Sequence, residues 1–87
     1  MLGPGMAKHF KSNPHRSLCR LLRQARLAAG VTQAQVARRL GRPQSWVSEI
    51  ETANRRIDLI EFLKYADAIG VSPYELIREF RGVRRGG

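Results

Sequence analysis

The first 48 residues of this 87-residue chain contain no aspartate or glutamate, and the first acidic residue is Glu49. The same segment holds nine lysines and arginines, whereas residues 49–87 hold seven basic and seven acidic residues, which cancel. The formal net charge of +9 therefore lies on the N-terminal half. Charge segregated in this way favours a polyanionic partner such as nucleic acid.

Residue sets for metal binding, redox chemistry and catalysis are also missing. Cys19 is the only cysteine, which excludes an internal disulfide or a cysteine-cluster metal site and fits a reducing, cytoplasmic compartment. His9 and His15 have no carboxylate or further ligand near them in sequence, so neither a metal nor a cofactor is expected. No catalytic Ser/His/Asp or Cys/His set and no phosphate-binding glycine loop is evident. We therefore expect neither an enzyme nor a small-molecule ligand.

Long apolar runs are absent as well. No run approaches the ~20 residues of a membrane span, and the N-terminus has no signal-peptide core. A membrane-active peptide would need a continuous apolar face on one long helix, but glycines and capping signals interrupt this chain repeatedly. The sequence therefore predicts no membrane partner.

Composition divides the chain into three parts. Residues 1–15 are rich in glycine, proline and basic side chains, which predicts a flexible basic N-terminal arm. This arm is either a leader without a role or a segment that lies along phosphates or a minor groove. Residues 16–81 form the one domain, and residues 82–87 form a flexible, basic, glycine-rich tail.

Capping signals predict five short helices and no strands. Ser17 can cap the first helix, and Thr32 with Gln35 has the spacing of a capping box, as does Asp58 with Glu61. Glycines follow the first, second and fourth helices, where a left-handed residue commonly ends a helix. The helices are expected at about 17–29, 32–40, 43–52, 58–69 and 73–81.

Apolar residues recur at helical spacing in each of these segments, which predicts an all-α, compact bundle with an aliphatic core. The expected buried positions are Leu18, Leu22, Ala25 and Ala29; Val36, Ala37 and Leu40; Val47 and Ile50; Leu59, Phe62, Leu63, Ala66 and Ile69; and Tyr74, Leu76, Ile77 and Phe80.

The second and third helices are separated only by a three-residue break, the arrangement by which many proteins present a helix to a DNA groove. The face of the third helix opposite Val47 and Ile50 is built from amides and hydroxyls, which can bond to base edges. The alternative is that Gln44 merely caps and solvates the first turn. We predict that the base-contacting residues are Gln44, Ser45, Ser48, Glu49 and Thr52.

Three arginines bracket this helix at both ends and are predicted to contact the DNA backbone: Arg42, Arg55 and Arg56. Glu49 has three alternatives: it accepts from a cytosine, repels phosphate at wrong registers, or pairs with a neighbouring arginine. Trp46 either packs against the second helix or donates its indole N–H to a phosphate. We include Trp46 in the predicted backbone contacts.

The series from Leu22 to Ile77 resembles the Cro and phage-repressor (XRE-like) type of helix-turn-helix domain over about two thirds of the chain. The matching residues, in order, are Leu22-Arg23, Arg26, Gly30, Thr32-Gln33, Val36-Ala37, Leu40-Gly41, Gln44-Ser45, Val47-Ser48, Ile50-Glu51, Arg55, Leu63, Ala66, Ile69-Gly70 and Leu76-Ile77.

This resemblance implies a five-helix bundle that binds operator DNA, usually as a dimer, and regulates transcription. It also implies that Gln33 touches a phosphate or supports the base contacts, and that Arg26 and Glu51 form an ion pair between helices one and three. The chain departs from the family at Ala53, where glycine is usual, at Ile57, where proline is frequent, and at the bulky Trp46. If the turn needs a positive φ, Asn54 or another turn type must supply it.

The sequence thus predicts a sequence-specific, double-stranded-DNA-binding transcriptional regulator, with repression favoured, that forms a homodimer at least on DNA. The alternative is a protein-interaction module, such as an antitoxin-type partner, that keeps the fold without binding DNA. RNA is disfavoured because the deep, narrow groove of A-form RNA excludes a helix.

Overall fold

The computed structural model describes residues 13–86 of the chain, with side-chain surroundings as far as Gly82. This part of the chain folds into five α-helices and contains no strand, so the all-α prediction is confirmed. The helices are α1 (Pro14–Ala28), α2 (Gln33–Leu40), α3 (Gln44–Glu51), α4 (Leu59–Ile69) and α5 (Pro73–Gly86). No described helix is both long and apolar enough to cross a membrane.

The first helix begins three residues before its predicted start at Ser17. Asn13 caps it, because its side-chain oxygen accepts from the backbone N–H of His15 at 2.7 Å. Pro14 occupies the first helical turn, where a missing N–H costs nothing. Residues 14 and 15 therefore belong to α1 rather than to the predicted arm, and arm residues 1–12 lie outside the described residues.

The last helix also runs past its predicted end at residue 81 and continues to Gly86. The sequence analysis assigned residues 82–87 to a tail because they are basic and glycine-rich. Helix-ending glycines adopt a left-handed backbone, as Gly30, Gly41 and Gly70 do here, whereas Gly82 is not among the positive-φ residues. The segment predicted as a tail is therefore helical over residues 82–86.

Two reciprocal capping boxes fix where α2 and α4 begin, as predicted. Thr32 Oγ1 accepts from the N–H of Gln35 at 3.1 Å, and Gln35 Oε1 accepts from the N–H of Thr32 at 2.9 Å. Asp58 and Glu61 exchange the same two bonds, at 2.7 and 3.0 Å. Each box satisfies two N–H groups that lack a partner inside the helix.

One continuous apolar core lies between the helices, with α1 against α5 and α3, α2 against α3 and α4, and α4 against α5. Of the positions predicted to be buried on α2 and α3, Val36, Ala37, Val47 and Ile50 are buried, and Leu40 is half-buried. For α1 the prediction that Ala29 is buried is wrong, because this residue is exposed. Cys19 is buried instead.

The buried stripe of α4 differs from the prediction. Leu59 and Leu63 are 67% and 40% exposed, while Tyr65 and Ala68 join Phe62, Ala66 and Ile69 in the core. This helix carries apolar residues on two adjacent stripes, so periodicity alone cannot say which one faces inward. Of the four positions predicted to be buried on α5, Leu76 is buried and Phe80 is half-buried, whereas Tyr74 is 78% exposed and Ile77 43%.

The turn after α3 obtains its positive φ from neither predicted source. Ala53 itself adopts φ 63°, the left-handed region that a β-carbon disfavours. Its N–H donates to the carbonyl of Ile50 at 3.0 Å, and the N–H of Asn54 donates to Glu49 at 2.9 Å. These bonds close the last turn of α3 and hold the strained residue in place.

Candidate nucleic-acid interface

The connection between α2 and α3 sets the direction of α3. Gly41 adopts a left-handed backbone with φ 66°, and the N–H of Arg42 donates back to the carbonyl of Ala37 at 2.9 Å. Pro43 then precedes the first residue of α3, where its fixed φ suits a helix start. The two helices are thereby joined by a short, closed turn with little freedom.

Helix α3 is split lengthwise into a buried side and an outer side. Val47 and Ile50 are fully buried, while Gln44 and Ser45 are exposed and Ser48 is half-buried. This division is the one that the sequence predicts, and it leaves an amide and hydroxyls on the surface. Such groups can donate to or accept from base edges in a major groove.

Thr52, the last of the predicted base-contacting residues, caps the C-terminus of α3. Its hydroxyl donates to the carbonyl of Ser48 at 2.8 Å and accepts from the Asn54 side-chain amide at 3.0 Å. Because the hydroxyl proton is already used, only its acceptor capacity is open to a base or a bridging water.

Two glutamine amides from different helices meet at the N-terminus of α3. Gln44 Nε2 donates to Gln33 Oε1 at 3.4 Å, and Gln33 Nε2 donates to Glu51 Oε1 at 3.0 Å. Gln33 is half-buried at the start of α2. Gln33 therefore lies between Glu51 and Gln44. Its two implied roles, touching a phosphate or supporting the base contacts, stay predictions.

Arg26 and Glu51 form a buried ion pair between α1 and α3. Arg26 Nε lies 2.7 Å from Glu51 Oε2, and its second terminal nitrogen lies 2.9 Å from Oε1. A further Arg26 nitrogen donates to the carbonyl of Val31 at 3.0 Å, so the guanidinium also ties down the loop before α2. This bidentate geometry fixes the orientation of α3 relative to α1.

Tyr65 completes this cluster, and sequence reasoning missed it. The side chain is fully buried on α4, and its hydroxyl donates to Glu51 Oε2. A signal existed: a tyrosine three residues after Phe62, on a core helix, needs a partner for its hydroxyl. The prediction nevertheless placed α4 in the neighbouring register, which turns Tyr65 away from the core.

The electrostatics of the cluster favour a charged carboxylate. Burial on its own raises the pKa of Glu51, but hydrogen bonds from Arg26, Tyr65 and Gln33 outweigh it and hold that pKa below its ordinary value. The hydrogen bond to Glu51 raises the pKa of Arg26. Burial, followed by the contact with Glu51, raises the pKa of Tyr65. Near neutral pH the carboxylate is therefore ionised and the hydroxyl protonated.

Trp46 was included among the predicted contacts with the DNA backbone, and its burial contradicts that prediction. The residue is only 4% exposed, and its indole nitrogen is buried without a hydrogen-bond partner in the described part of the chain. The guanidinium of Arg42 lies 4.8 Å from the ring centroid, in cation–π contact. The structure thus shows the packing alternative, and an indole so covered cannot reach a phosphate.

The remaining predicted contacts are charged and lie at the surface. Glu49 Oε1 accepts from Arg55 Nε at 3.0 Å, which is the third of the alternatives for Glu49. Arg42 lies 3.5 Å from Glu61, and Arg56 is exposed. Both ion pairs are partly solvated, so neither holds its arginine strongly.

Among the described residues, no group of three or more histidine, cysteine or acidic side chains could hold a metal ion. Cys19 lies against the His15 ring, with its sulfur 3.7 Å from Nδ1. Burial raises the pKa of its thiol to about 11, so the reactive thiolate is scarce near neutral pH.

Comparison with known proteins agrees with this geometry. A family profile described as "Helix-turn-helix domain" matches residues 17–80. Among solved structures, the chain is similar to an XRE-family like protein from Pseudomonas syringae pv. tomato str. DC3000, with 44% identity over 90% of this chain and 95% of that one, and a TM-score of 0.78. The chain belongs to the XRE-type helix-turn-helix family.

The chain is also similar to a second solved structure. It is the restriction-modification controller protein C.AhdI from Aeromonas hydrophila, 31% identical over 75% of this chain and 97% of that one, with a TM-score of 0.65. A comparison with curated protein sequences finds no match. The XRE-type domain described here is accordingly a DNA-binding transcription regulator by class, with α2 and α3 as its helix-turn-helix.

Proposed function

We propose that this XRE-type protein binds a specific operator in double-stranded DNA by inserting α3 into the major groove, and that it represses transcription from that site in the cytoplasm. The observation that carries the proposal is the outward amide-and-hydroxyl face of α3, held by the buried Val47 and Ile50. Repression needs only that the bound protein occupies a promoter, so we propose it ahead of activation.

The proposed base contacts come from five side chains, four along α3 and one at its C-terminal cap. Gln44 suits the N6/N7 edge of adenine, because an amide can accept and donate there at once. Ser45 and Ser48 are permissive donors or acceptors. Glu49 acts together with Arg55, from which it accepts at 3.0 Å. When DNA approaches, Arg55 can turn to a phosphate, and Glu49 can then accept from a cytosine. Thr52 completes the set as an acceptor.

The proposed backbone contacts are Gln33, Arg42, Arg55 and Arg56. Arg42 comes before α3 and the other two arginines come after it, so cations stand at both ends of the helix. If about four to six phosphates are neutralised per subunit, the logarithm of the binding constant falls against log salt with a slope of roughly −4 to −5. An affinity that hardly changes between low and moderate salt would contradict these contacts.

The N-terminal arm is a further proposed contact with the backbone. Asn13 and Arg16, at the start of α1, line a cleft together with Thr52 and Asn54 at the end of α3. The arm therefore joins the described structure beside the proposed DNA surface. Deleting residues 1–12 removes Lys8 and Lys11, and we expect the salt slope to become shallower by about two per subunit.

Selection of bound sequences from a random DNA pool is the experiment that tests the function. We expect one enriched sequence, and titration should then separate this duplex from a random one by at least about a thousandfold. Gln44→Ala should relax the preference at one base pair, whereas Arg56→Ala should weaken all duplexes alike. Equal affinity for selected and random duplexes would reject the proposal and favour a protein-interaction module.

We propose a homodimer on DNA, built through α4 and α5. Exposed large apolar side chains are concentrated there: Leu59, Ile60, Leu63, Tyr74 and Ile77. A two-fold pair of subunits would read half-sites about 34 Å apart, one helical turn of DNA. Sedimentation on a duplex that carries both half-sites should show two subunits, and Ile77→Glu should reduce this to one. Binding of a single wild-type subunit would refute the dimer.

A further inference from the structure

A chain of hydrogen bonds connects the core of the molecule to the outer face of α3. The Tyr65 hydroxyl, on α4, donates to the Glu51 carboxylate at the end of α3. Glu51 Oε1 accepts from Gln33 Nε2 at 3.0 Å, and Gln33 Oε1 accepts from Gln44 Nε2 at 3.4 Å. The first two members are buried, the third is half-buried, and the last is exposed.

This chain has only one consistent direction. An ionised carboxylate can accept but not donate, so Gln33 must turn its NH2 group toward Glu51. The carbonyl oxygen of Gln33 then faces Gln44, and Gln44 must turn its own NH2 group toward Gln33. Each amide is oriented by the group before it, and a flip of either would place two donors or two acceptors together.

The direction of the chain decides what Gln44 presents to a base. Its Oε1 and its second N–H remain available, which is the donor–acceptor pair that fits the N6 and N7 atoms of adenine. A freely flipping amide would present both orientations and would lose part of that preference.

We propose that Tyr65 is a positioning residue for base recognition, acting through Glu51 and Gln33 on the amide of Gln44. This inference rests on the proposed DNA-binding function and deepens it. Arg26 holds both carboxylate oxygens from the α1 side, but Tyr65 holds Oε2 from the α4 side. With both donors present the carboxylate is clamped between two helices, and it offers Gln33 an acceptor at a fixed point.

The test compares two variants of the full chain that each lose one hydroxyl. Tyr65→Phe removes the buried hydroxyl from α4, and Ser17→Ala removes a hydroxyl from α1, outside the hydrogen-bond chain, as a matched control. The readout is the ratio of dissociation constants for the selected duplex and for the duplex changed at the base pair that Gln44→Ala relaxes. We expect a wild-type ratio of about tenfold or more. It should fall several-fold in Tyr65→Phe and stay at the wild-type value in Ser17→Ala.

A purely structural role for Tyr65 predicts a different pattern, which a double-mutant cycle detects. In a Gln44→Ala background the proposal predicts that Tyr65→Phe leaves the ratio unchanged, because the amide on which it acts is gone. A loss of affinity that is equal for both duplexes and equal in both backgrounds would overturn the proposal.

Two further measurements distinguish a failure of this inference from a misfolded variant and from a failure of the proposed function. If Tyr65→Phe fails to unfold cooperatively, Glu51→Gln provides the second variant: its amide can face Gln33 either way, and the ratio should again fall several-fold. An unchanged ratio in a folded variant overturns the inference alone. A wild-type protein that prefers no sequence overturns the proposed function and, with it, the inference.

Discussion

The α2–α3 half of the molecule and the α4–α5 half have opposite surfaces over the same apolar core. In the first, the large apolar side chains are buried or half-buried, and polar groups cover the outside. In the second, leucine, isoleucine and tyrosine side chains lie in solvent. Hydrogen bonds within the monomer fix the polar surface. The apolar surface, by contrast, is not covered by any other part of the chain that the structure describes. The proposed base contacts thus lie on the first half, and the proposed dimer contacts lie on the second.

The buried polar cluster of Arg26, Glu51 and Tyr65 is better explained by the orientation that it gives α3 than by a gain in the free energy of unfolding. A buried ion pair often contributes no more than a well-packed apolar pair of the same volume, because both charges lose water. Breaking it is different, since the remaining charge stays buried alone. The Arg26–Glu51 pair therefore makes one arrangement of α1 and α3 far better than its alternatives, which is what a surface that must match a groove requires.

The largest effect is expected from Arg26→Ala. The variant leaves Glu51 buried without its main partner, so we expect the free energy of unfolding in urea to fall by about 3–5 kcal/mol. Arg23→Ala, at an exposed position on the same helix, is the matched control and should change it by less than about 0.5 kcal/mol. An Arg26→Ala protein that unfolds at the wild-type urea concentration would show that the pair is not needed for the fold.

The next largest effect contrasts neighbouring residues on α5. Leu76 is buried, so Leu76→Ala should lower the free energy of unfolding by about 2–5 kcal/mol through a cavity. Ile77 is partly exposed, and Ile77→Ala should cost clearly less in dilute protein while weakening self-association at high concentration. Equal losses for the two variants in dilute solution would mean that α5 packs in another register.

Acid should lower the free energy of unfolding, because it protonates the Glu51 carboxylate at the end of α3. The folded-state pKa of this carboxyl is lowered below its ordinary value of 4.5. Its stabilisation is therefore complete above the unfolded-state pKa and is lost as pH falls through the lower folded-state pKa. We expect the difference in unfolding free energy between wild type and Glu51→Gln to shrink steadily below about pH 4.5. A pH-independent difference would contradict the role of the charge.

The two halves also differ in how well the sequence predicts them. In α2 and α3 the capping box, the glycine stop and a single apolar stripe agree, so the helix bounds and the burial of Val36, Val47 and Ile50 are as expected, although the burial of Trp46 is not. In α4 two apolar stripes compete, and the choice between them depends on a tertiary contact: the Tyr65 hydroxyl needs the Glu51 carboxylate. Hydropathy treats this tyrosine as one apolar residue among several, and it contains no information on that partner.

The same limit applies to the site. The amide and hydroxyl types on α3 follow from the sequence, but their mutual bonds do not, because Gln33 and Gln44 come from different helices. The sequence leaves three roles open to Glu49, and its 3.0 Å contact with Arg55 depends on the fold of the turn after α3. Asn13 shows a different error, in which a competent cap was assigned to the arm because of the composition of its neighbours.

The smallest expected effect concerns the turn that closes α3. Ala53 adopts φ 63°, and a β-carbon makes this region less favourable by roughly 1 kcal/mol. Ala53→Gly should therefore stabilise the protein by about 0.5–1 kcal/mol, although part of the gain is offset by the greater freedom of glycine in the unfolded chain. Gly70→Ala is the converse control: its φ of 74° should make an added β-carbon destabilising although no neighbouring atom lies within 4 Å of it. Thermal unfolding of both variants checks the pair. If Ala53→Gly were destabilising, the methyl group of Ala53 would have to contribute more by packing than it costs in backbone strain.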